Sequence, residues 1–438
     1  MWPYHPELLA RAVPRYTSFP TAAEFHDGLG QADLVEAIES SEGVVSLYLH
    51  IPFCEQICWY CGCNTGAANK SQRLNAYLDA LTHEIALVAA RLPSTVHIGR
   101  IAFGGGSPNA IAPLAFVRLL DRVQTAFAAG APTLSIELDP RGFTPEWARV
   151  LGATRVTNVS LGVQTFAPAI QQRIGRVQPA VLIEETTTML RGAGVTSINY
   201  DLMYGLPGQG MEDLDDTLER SIALAPERIA LFGYAHVPHI LPRQRRIDAS
   251  DLPDQQLRFA MAWHGFQRLT AAGYVPVGFD HFALPHDPLA IASQSGDLRR
   301  NFQGFTDDGA ERLIGLGASA ISLFPDRIIQ NEKNAGRYRM RLSQDQLTGS
   351  LGVRRTAQDR QRALVIEDIL CGRPADLSGI ASIDQIIGDL HPFVTRGLAT
   401  LNGLQLDLSD DARPYTRTIA ALFDPYRSDA ARRFSSAV

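Results

Sequence analysis

The chain has 438 residues, 45% hydrophobic and 20% charged, with 36 glycines and 26 prolines, a globular composition that excludes disordered, collagen-like and low-complexity architectures. Lys plus Arg number 40 against 46 Asp plus Glu, a formal net charge of −6, which argues against a surface built to coat nucleic acid or anionic membrane. Only 5 cysteines occur, which excludes a disulfide scaffold, and four of them, Cys54, Cys58, Cys61 and Cys63, lie within ten residues.

At ~150 residues per domain the length predicts two or three domains, or one large α/β unit with attachments. The opening segment, MWPYHPELLARAVPRYTSFPT, has no apolar stretch of the kind that marks a signal sequence, and nothing later approaches the ~18 uninterrupted apolar residues of a membrane span. The expected location is therefore the cytoplasm, with reduced thiols, no membrane span and no nucleic-acid partner. From about residue 46, apolar and β-branched runs predict strands at Ser46–Ile51, His97–Phe103, Thr133–Leu138, Asn158–Gly162, Ser197–Leu202 and Arg228–Phe232. Helical patterns lie between them. The best is Gln72–Leu92, where Leu74, Tyr77, Leu78, Leu81 and Ile85 keep i, i+3, i+4, i+7 spacing and Pro93 stops the run. Apolar strands alternating with helices predict a parallel sheet with right-handed crossovers. Helix Pro253–Ala272 and the tract Tyr274–Phe282 extend the unit. Beyond about Asp326 short amphipathic helices follow (Thr356–Leu370, Ile383–Leu390, Pro414–Leu422). The expected division is an N-terminal segment at 1–45, a catalytic α/β domain at 46–325 and a helical C-terminal domain at 326–438.

In such a sheet, open or closed, the ligand site lies beyond the carboxyl ends of the strands. The unusual residues stand there. The cysteine cluster follows the first run, Gly104–Gly106 the second, Asp139 and Pro140 the third, Gln164 the fourth and Tyr204–Pro207 the fifth. The segment HIPFCEQICWYCGCN spaces its cysteines C-x3-C-x2-C-x-C. Zinc sites separate two knuckles by a dozen or more residues to build a tetrahedron, and a C-x-C end is cramped for that purpose. A thioredoxin-like dithiol needs only C-x2-C at a helix N-terminus. Three thiolates on one short loop suit an iron–sulfur cube, whose fourth iron then stays open to another ligand.

C-x3-C-x2-C after a first strand, with GGGSP after the second, resembles the radical S-adenosylmethionine (SAM) superfamily. YTSFPT, SLYLHIPFCEQICWYCGCN, FGGGSPN, SIELDPRG, LGVQTF, NYDLMYGLP, YAHVP, FDHFA, RRNFQGFT and GASAIS then occur in the order found in the oxygen-independent coproporphyrinogen III dehydrogenases (oxidases), across residues 16 to 322. The resemblance implies a partial (β/α)6 barrel extended by further strands, with a helical C-terminal domain and an N-terminal segment covering the substrate site. It implies a [4Fe-4S] cluster held by Cys54, Cys58 and Cys61, with Cys63 matching a cysteine that does not ligate. It also implies two SAM molecules. Tyr48, Gly105, Glu137 and Ile321 match positions at the first, Tyr60 an aromatic beside the cluster, and Gly106, Ser107, Gln164, Arg176, Asp201 and Ala235 the second. Cys54, Cys58, Cys61, Tyr48 and Glu137 would carry the catalysis.

The implied reaction is oxidative decarboxylation of two propionates of coproporphyrinogen III to vinyls, giving protoporphyrinogen IX in anaerobic heme biosynthesis. A 5′-deoxyadenosyl radical takes a hydrogen from the propionate β-carbon, and CO2 and one electron leave. The implied partners are the substrate and an unidentified electron donor and acceptor, with the chain a monomer. Arg15 and Arg300 are the candidate partners of the propionates, since guanidinium donates bidentately to carboxylate. Each site residue also has a structural reading. The glycines give a tight strand-to-helix turn, or leave room for the methionine moiety; Glu137 and Asp201 serve as caps or ion pairs; Arg176 is a solvated helix residue. Asp139-Pro140 and Leu206-Pro207 read as turns, and His50, His236 and His281 as core histidines. The sequence departs from the family at Ser107 (usually Thr), Thr165 (usually Asp) and Leu284 (usually Arg). Two related families are the alternatives: a heme-binding chaperone, which normally lacks YTSFPT and the fourth cysteine, and a radical SAM methyltransferase that opens heme.

Overall fold

The computed structural model describes residues 1–68 and 71–427. Its frame is a 12-stranded sheet. Six strands, β1 (Val44–Ile51), β2 (His97–Gly105), β3 (Thr133–Leu138), β4 (Asn158–Gln164), β5 (Ser197–Tyr204) and β6 (Arg228–Gly233), lie side by side in chain order, and every pair is parallel. Each is joined to the next through a helix, α1 (Ser71–Ala89), α2 (Pro113–Ala126), α3 (Pro145–Ala153), α4 (Ala180–Gly192) and α5 (Met211–Leu224). Sequential order with helical crossovers of one hand is the arrangement of a partial (β/α)6 barrel.

The sheet extends at both ends. After α6 (Gln255–Ala271), the short strands β7 (Val275–Val277) and β8 (His281–Ala283) add an antiparallel edge beyond β6. At the other end β9 (Arg312–Leu316) returns to pair parallel with β1, followed by antiparallel β10 (Ile321–Leu323), β11 (Arg327–Asn331) and β12 (Gly349–Arg354). The sheet therefore does not stop at Asp326, where the sequence pattern shifts. The tail beyond Arg354 has helices at Ala357–Leu370 and Ile383–Val394 and, in addition to the helices expected, a three-stranded antiparallel sheet. The end of the expected C-terminal domain, 428–438, lies outside the described residues.

Burial accounts for the order. Leu47, Leu49, Ile51, Ile101, Phe103, Ile136, Leu161 and Leu202 are buried in the sheet. Helix α1 lays Tyr77, Leu81, Ile85 and Val88 against it. Full burial of each aliphatic side chain contributes roughly 1.5–3 kcal/mol. Side-chain caps start several helices where the chain turns back from the sheet: Thr144 accepts from the Trp147 N–H ahead of α3, and Asp254 from the Leu257 N–H ahead of α6. The carboxyl ends of β1–β6 converge on one side, and the first twenty residues and the tail close over that region. Tyr415 Oη donates to the Pro3 carbonyl at 2.6 Å, Tyr16 Oη to Asp424 at 3.0 Å, and Tyr4 Oη to Gln255 at 3.1 Å.

Candidate active site

The cysteine loop leaves the carboxyl end of β1. Two short strands, Phe53–Cys54 and Gly66–Ala67, pair in parallel and close it, through Gly66 N–H to the Pro52 carbonyl and Ala68 N–H to the Cys54 carbonyl, both 2.9 Å. The loop is also stapled from outside. Trp59 N–H donates to the Ile174 carbonyl at 3.0 Å. The buried Gln244 amide donates to the Tyr60 and Ala235 carbonyls at 2.9 and 3.0 Å and accepts from Val237 N–H at 2.6 Å. All four cysteines are free thiols; Cys58 is buried, Cys54 and Cys61 half-buried, and Cys63 more exposed.

The sulfurs sit among hydrogen-bond donors. Arg141 and Arg176 each donate to Cys58 Sγ at 3.3 Å, Thr65 Oγ1 to Cys54 Sγ at 3.2 Å and Cys63 N–H to Cys61 Sγ at 3.3 Å. Burial pushes the Cys54 thiol up to about 11. The Cys63 thiol, hydrogen-bonded to Cys61, pulls Cys61 down to about 6 and is itself pushed up. Among the described residues no three His, Cys, Asp or Glu side chains converge on a point as ligands of a single ion. A cluster makes no such demand, because each thiolate binds a different iron. Thiol donors with guanidinium N–H groups aimed at sulfur fit an iron–sulfur cluster, whose electronics such hydrogen bonds tune.

The cysteines open onto a cavity of about 450 Å3. Of the residues singled out from the sequence, its wall brings together Cys54, Cys58, Tyr60, Cys61, Cys63, Gly105, Gly106, Ser107, Glu137, Gln164, Arg176, Asp201, Ala235 and Arg15. Tyr48 and Ile321 stand apart from that wall. Tyr48 lies in β1 opposite Gly315, with Oη 3.2 Å from His50 Nδ1, and a Cβ on Gly315 would come within 2.5 Å of the Ile321 carbonyl oxygen. The three residues thus sit side by side, behind the imidazole of His50. Burial lowers that imidazole to about 4.

The glycines are explained by the protein itself. A Cβ on Gly104 would fall 2.7 Å from the Glu137 carboxylate, on Gly105 2.4 Å from the His50 ring, and on Gly106 2.4 Å from the Phe53 carbonyl oxygen. Gly105 also has φ +109. Of the two readings of these glycines, the tight packed turn accounts for their bareness within the chain itself, because His50, the cysteine loop and Glu137 pack onto it. Ser107 is likewise engaged, pairing with Asn109 and accepting from Asp139 N–H at 3.0 Å.

Two carboxylates face the cavity. Glu137 accepts from Gly105 N–H at 3.1 Å, and burial together with the charge of Asp201 pushes it up to about 7. Asp201 accepts from Ser160 Oγ at 2.9 Å and Asn199 Nδ2 at 2.8 Å; burial raises it too. Gln164 sits at a register shift in β4 with φ +63, a left-handed backbone in a bulge that turns its buried side chain toward the cavity.

Asp139 is more than the turn expected of it. It accepts from both Nη atoms of Arg176 at 3.2 Å and from Arg141 at 2.5 Å, so burial, which alone would raise its pKa, is outweighed by the two guanidinium groups. Arg176, only 5% exposed, lies beyond its helix rather than on a solvated face, and also donates to the Gly162 carbonyl at 2.6 Å. Arg141 and Gln244 were missed from sequence. The Asp-Pro-Arg spacing in SIELDPRG was a signal for the first; Gln244, inside PRQRR, offered none. Arg15 lines the cavity, donating to the Gly233 carbonyl at 2.8 Å. Arg300 does not, and instead holds the carbonyls of Arg15 and Tyr16 at 3.0 and 3.1 Å.

A cysteine loop at the first strand of a partial barrel, facing carboxylates and a glycine turn at the neighbouring strands, defines a radical SAM protein, and a family model for the radical SAM superfamily matches residues 48–220. Among curated relatives, the oxygen-independent coproporphyrinogen III oxidase of Bradyrhizobium diazoefficiens is 38% identical over 437 residues, covering 97% of each chain. Those of Pseudomonas aeruginosa and Escherichia coli are 37% and 35% identical, with 97% and 96% of this chain covered and 96% and 94% of theirs. The solved Escherichia coli coproporphyrinogen III oxidase, described as a radical SAM enzyme, superposes with a TM-score of 0.89 at 34% identity over 97% of this chain and 99% of that one. The chain belongs to the oxygen-independent coproporphyrinogen III oxidase family. It is a radical SAM oxidoreductase of porphyrin biosynthesis that uses a [4Fe-4S] cluster and SAM. No helix among the described residues is long and apolar enough to cross a membrane.

Proposed function

We propose that this chain performs the oxidative decarboxylation of two propionates of coproporphyrinogen III to vinyl groups, giving protoporphyrinogen IX, and that the cavity below the cysteine loop is where it does so. The observation that carries the reading is the opening of three clustered thiols onto the same cavity as Glu137 and Asp201. Cys54, Cys58 and Cys61 would hold the cluster, with Cys63 acting on Cys61 through its thiol proton. With SAM bound, the cluster supplies a hydrogen-abstracting organic radical. Each propionate then loses one β-hydrogen atom, CO2 and one electron, the electron going to an acceptor outside the chain. Glu137 and Asp201 are placed to accept hydrogen bonds from ammonium or ribose donors of two SAM molecules, and Arg176 and Arg141 to steady Cys58. Tyr48 and Ile321 are placed to back the first SAM site through His50. An external electron donor serves the cluster, the chain acts as a monomer, and its location is the cytoplasm.

The test is anaerobic reconstitution with iron and sulfide, then SAM, reductant and coproporphyrinogen III. Protoporphyrinogen IX is the expected product. An intact cluster without product, combined with tight heme binding, would instead favour the related chaperone. Cys54→Ala, Cys58→Ala and Cys61→Ala are each expected to abolish SAM cleavage and bleach the cluster's visible absorbance, whereas Cys63→Ala keeps it; equal loss in all four would overturn the ligand assignment.

A further inference from the structure

The turn that pins the cysteine loop also carries charge. Within Pro242–Arg246 the buried Gln244 reaches the cavity wall and holds the Tyr60 carbonyl at 2.9 Å, whereas Arg243, Arg245 and Arg246 stay out of that wall. Arg243 is half-buried and the other two are exposed. Arg243 Nη2 donates to the Thr65 carbonyl at 3.5 Å, and Thr65 Oγ1 in turn donates to Cys54 Sγ at 3.2 Å. Arg246 stands 5.8 Å over the ring of Trp59, the residue after Cys58. Two more cations border the same loop. A Cβ on Gly66 would lie 4.0 Å from the guanidinium of exposed Arg73, and Asn64 Nδ2 donates to the carbonyl of exposed Lys333 at 3.4 Å.

An exposed arginine is ordinarily a solvated one, so the argument rests on the grouping and on what is missing from it. Nearby cations of the ordinary kind have carboxylate partners: Arg173 pairs with Asp251, and Arg337 with Glu332 at 3.3 Å. Arg73, Arg243, Arg245, Arg246 and Lys333 form no ion pair among the described residues. No Asp or Glu occurs from Gln56 to Leu78 or from Arg228 to Ile247, in a chain whose formal net charge is −6. Glu55, the exposed acid at the start of the loop, belongs to the other flank, where a Cβ on Gly142 would lie 3.3 Å from its carboxylate. Ile240, 48% exposed, adds an apolar contact two residues before the turn. The loop thus carries on its outer rim a positive field that the molecule does not balance there, and such a field raises the encounter rate of a partner of opposite charge.

We propose that Arg73, Arg243, Arg245, Arg246 and Lys333 form the docking rim for an acidic one-electron carrier protein that reduces the cluster through the outer side of the cysteine loop. The assignment rests on the reading above, in which an external donor serves the cluster. The carrier arrives reduced, gives up one electron to the cluster held by the loop and leaves oxidised, with no proton or group transferred. Redox partners form small, brief contacts, burying less than about 1,200 Å2 in total, so a charged rim around one exposed isoleucine is sufficient and no broad apolar face is needed. Because the five cations stand outside the cavity wall, the carrier and the substrate approach by different routes.

The experiment mixes reconstituted holoenzyme anaerobically with one of two reduced probes, an acidic flavodoxin or the methyl viologen radical cation, and reads the reduced cluster by freeze-quench electron paramagnetic resonance. Reduction by flavodoxin is expected to slow about tenfold or more when Arg245→Glu, Arg246→Glu and Lys333→Glu are combined, and to fall with added salt in the wild type only. The corresponding Gln variants should lie between. Reduction by the viologen cation, SAM affinity and coproporphyrin III binding are expected to stay unchanged, which also shows that the charge-reversed chain is folded and loaded. A wild-type cluster that flavodoxin does not reduce, or reduces at a rate indifferent to salt and to charge reversal, would overturn the docking rim. Weakened coproporphyrin III binding with unaltered flavodoxin kinetics would also overturn it, by assigning the rim to substrate capture. Failure of the wild type to convert coproporphyrinogen III is a separate result that overturns the functional reading, since cluster reduction is measured without substrate.

Discussion

At Gly105 a side chain meets two obstacles, a left-handed backbone (φ +109) and an imidazole 2.4 Å from where the Cβ would stand. Gly105→Ala is therefore expected to lose about 1–3 kcal/mol to backbone strain alone, with the His50 overlap added to it. Chemical denaturation of the apoprotein would measure the loss, and an unchanged midpoint would contradict the packing account of this turn. Arg176 makes a second case. It gives two bonds to Asp139, one to Cys58 Sγ and one to the Gly162 carbonyl. Removing one partner of a buried ion pair costs about 3–5 kcal/mol, and Arg141 still holds Asp139. The expected loss for Arg176→Gln is at the lower end, read by denaturation, together with reduced iron per chain after reconstitution. If stability falls but iron content does not, the bond to Cys58 has no part in cluster retention.

Among the elements, α1 ties the sheet to the turn that precedes Ile321 through a single buried carboxylate. Glu84 accepts from Gly317 N–H at 2.6 Å, Tyr338 Oη at 2.7 Å, Asn331 Nδ2 at 2.9 Å and Thr348 Oγ1 at 3.3 Å. Two of these, the backbone N–H and the Asn331 amide that also serves the carbonyls of Gly315 and Gly317, can only donate. Glu84→Gln places an amide N–H among donors, so a loss of about 1–3 kcal/mol is expected. Burial pushes Glu84 up to about 7 from an ordinary 4.5. Below pH 4.5 the group is protonated in both states; from 4.5 to 7 the unfolded chain ionises first, so its contribution to stability is lost over that window and levels off above it. Denaturation midpoints of wild type and Glu84→Gln across this range should converge as pH rises, and parallel curves would sink the assignment.

The same elements show what was legible in the sequence. Strands β1 to β6 were readable because each is an apolar run, and parallel-sheet topology pointed to the strand ends where the cysteine cluster, Gly104–Gly106 and Gln164 stand, whereas Glu137, Arg176, Asp201 and Ala235 came from the family resemblance alone. Strands β9 to β12 were not. They have three to six residues each, and β9 finds its place beside β1 only across a separation of more than 250 residues. Without the family resemblance Arg176 reads as a surface residue, since a single guanidinium in a helical stretch carries no mark of burial; its partners Asp139 and Cys58 are 37 and 118 residues away. Arg300, expected to meet a propionate, instead holds the carbonyls of Arg15 and Tyr16 and lines a separate cavity together with Tyr16, a placement set by contacts across more than 280 residues that the sequence does not show.

For the molecule as a whole, the two chain ends meet over the carboxyl ends of the strands, so cofactor chemistry and substrate retention should be separable. The cysteine loop, Glu137, Gln164 and Asp201 all belong to β1–β5 and their connections, whereas Arg15 is held by the Gly233 carbonyl and the Phe232 ring at the end of β6 and by Arg300, and its neighbour Tyr16 is tied to Asp424 of the tail. Tyr415 is the hinge of that closure, donating from Oη to the Pro3 carbonyl at 2.6 Å while accepting from His5 N–H at 2.8 Å. Tyr415→Phe removes both bonds and keeps the ring, which is fully buried. Each bond contributes about 0.5–1.5 kcal/mol, so the N-terminal segment would detach more often without the sheet unfolding. The expected phenotype is faster proteolysis within the first twenty residues, a higher KM for coproporphyrinogen III, unchanged SAM affinity and more SAM cleaved per vinyl formed. A variant with raised KM for SAM instead would show that the ends of the chain support the cofactor site, and the division between a cofactor-binding sheet and a substrate-holding closure would have to be abandoned.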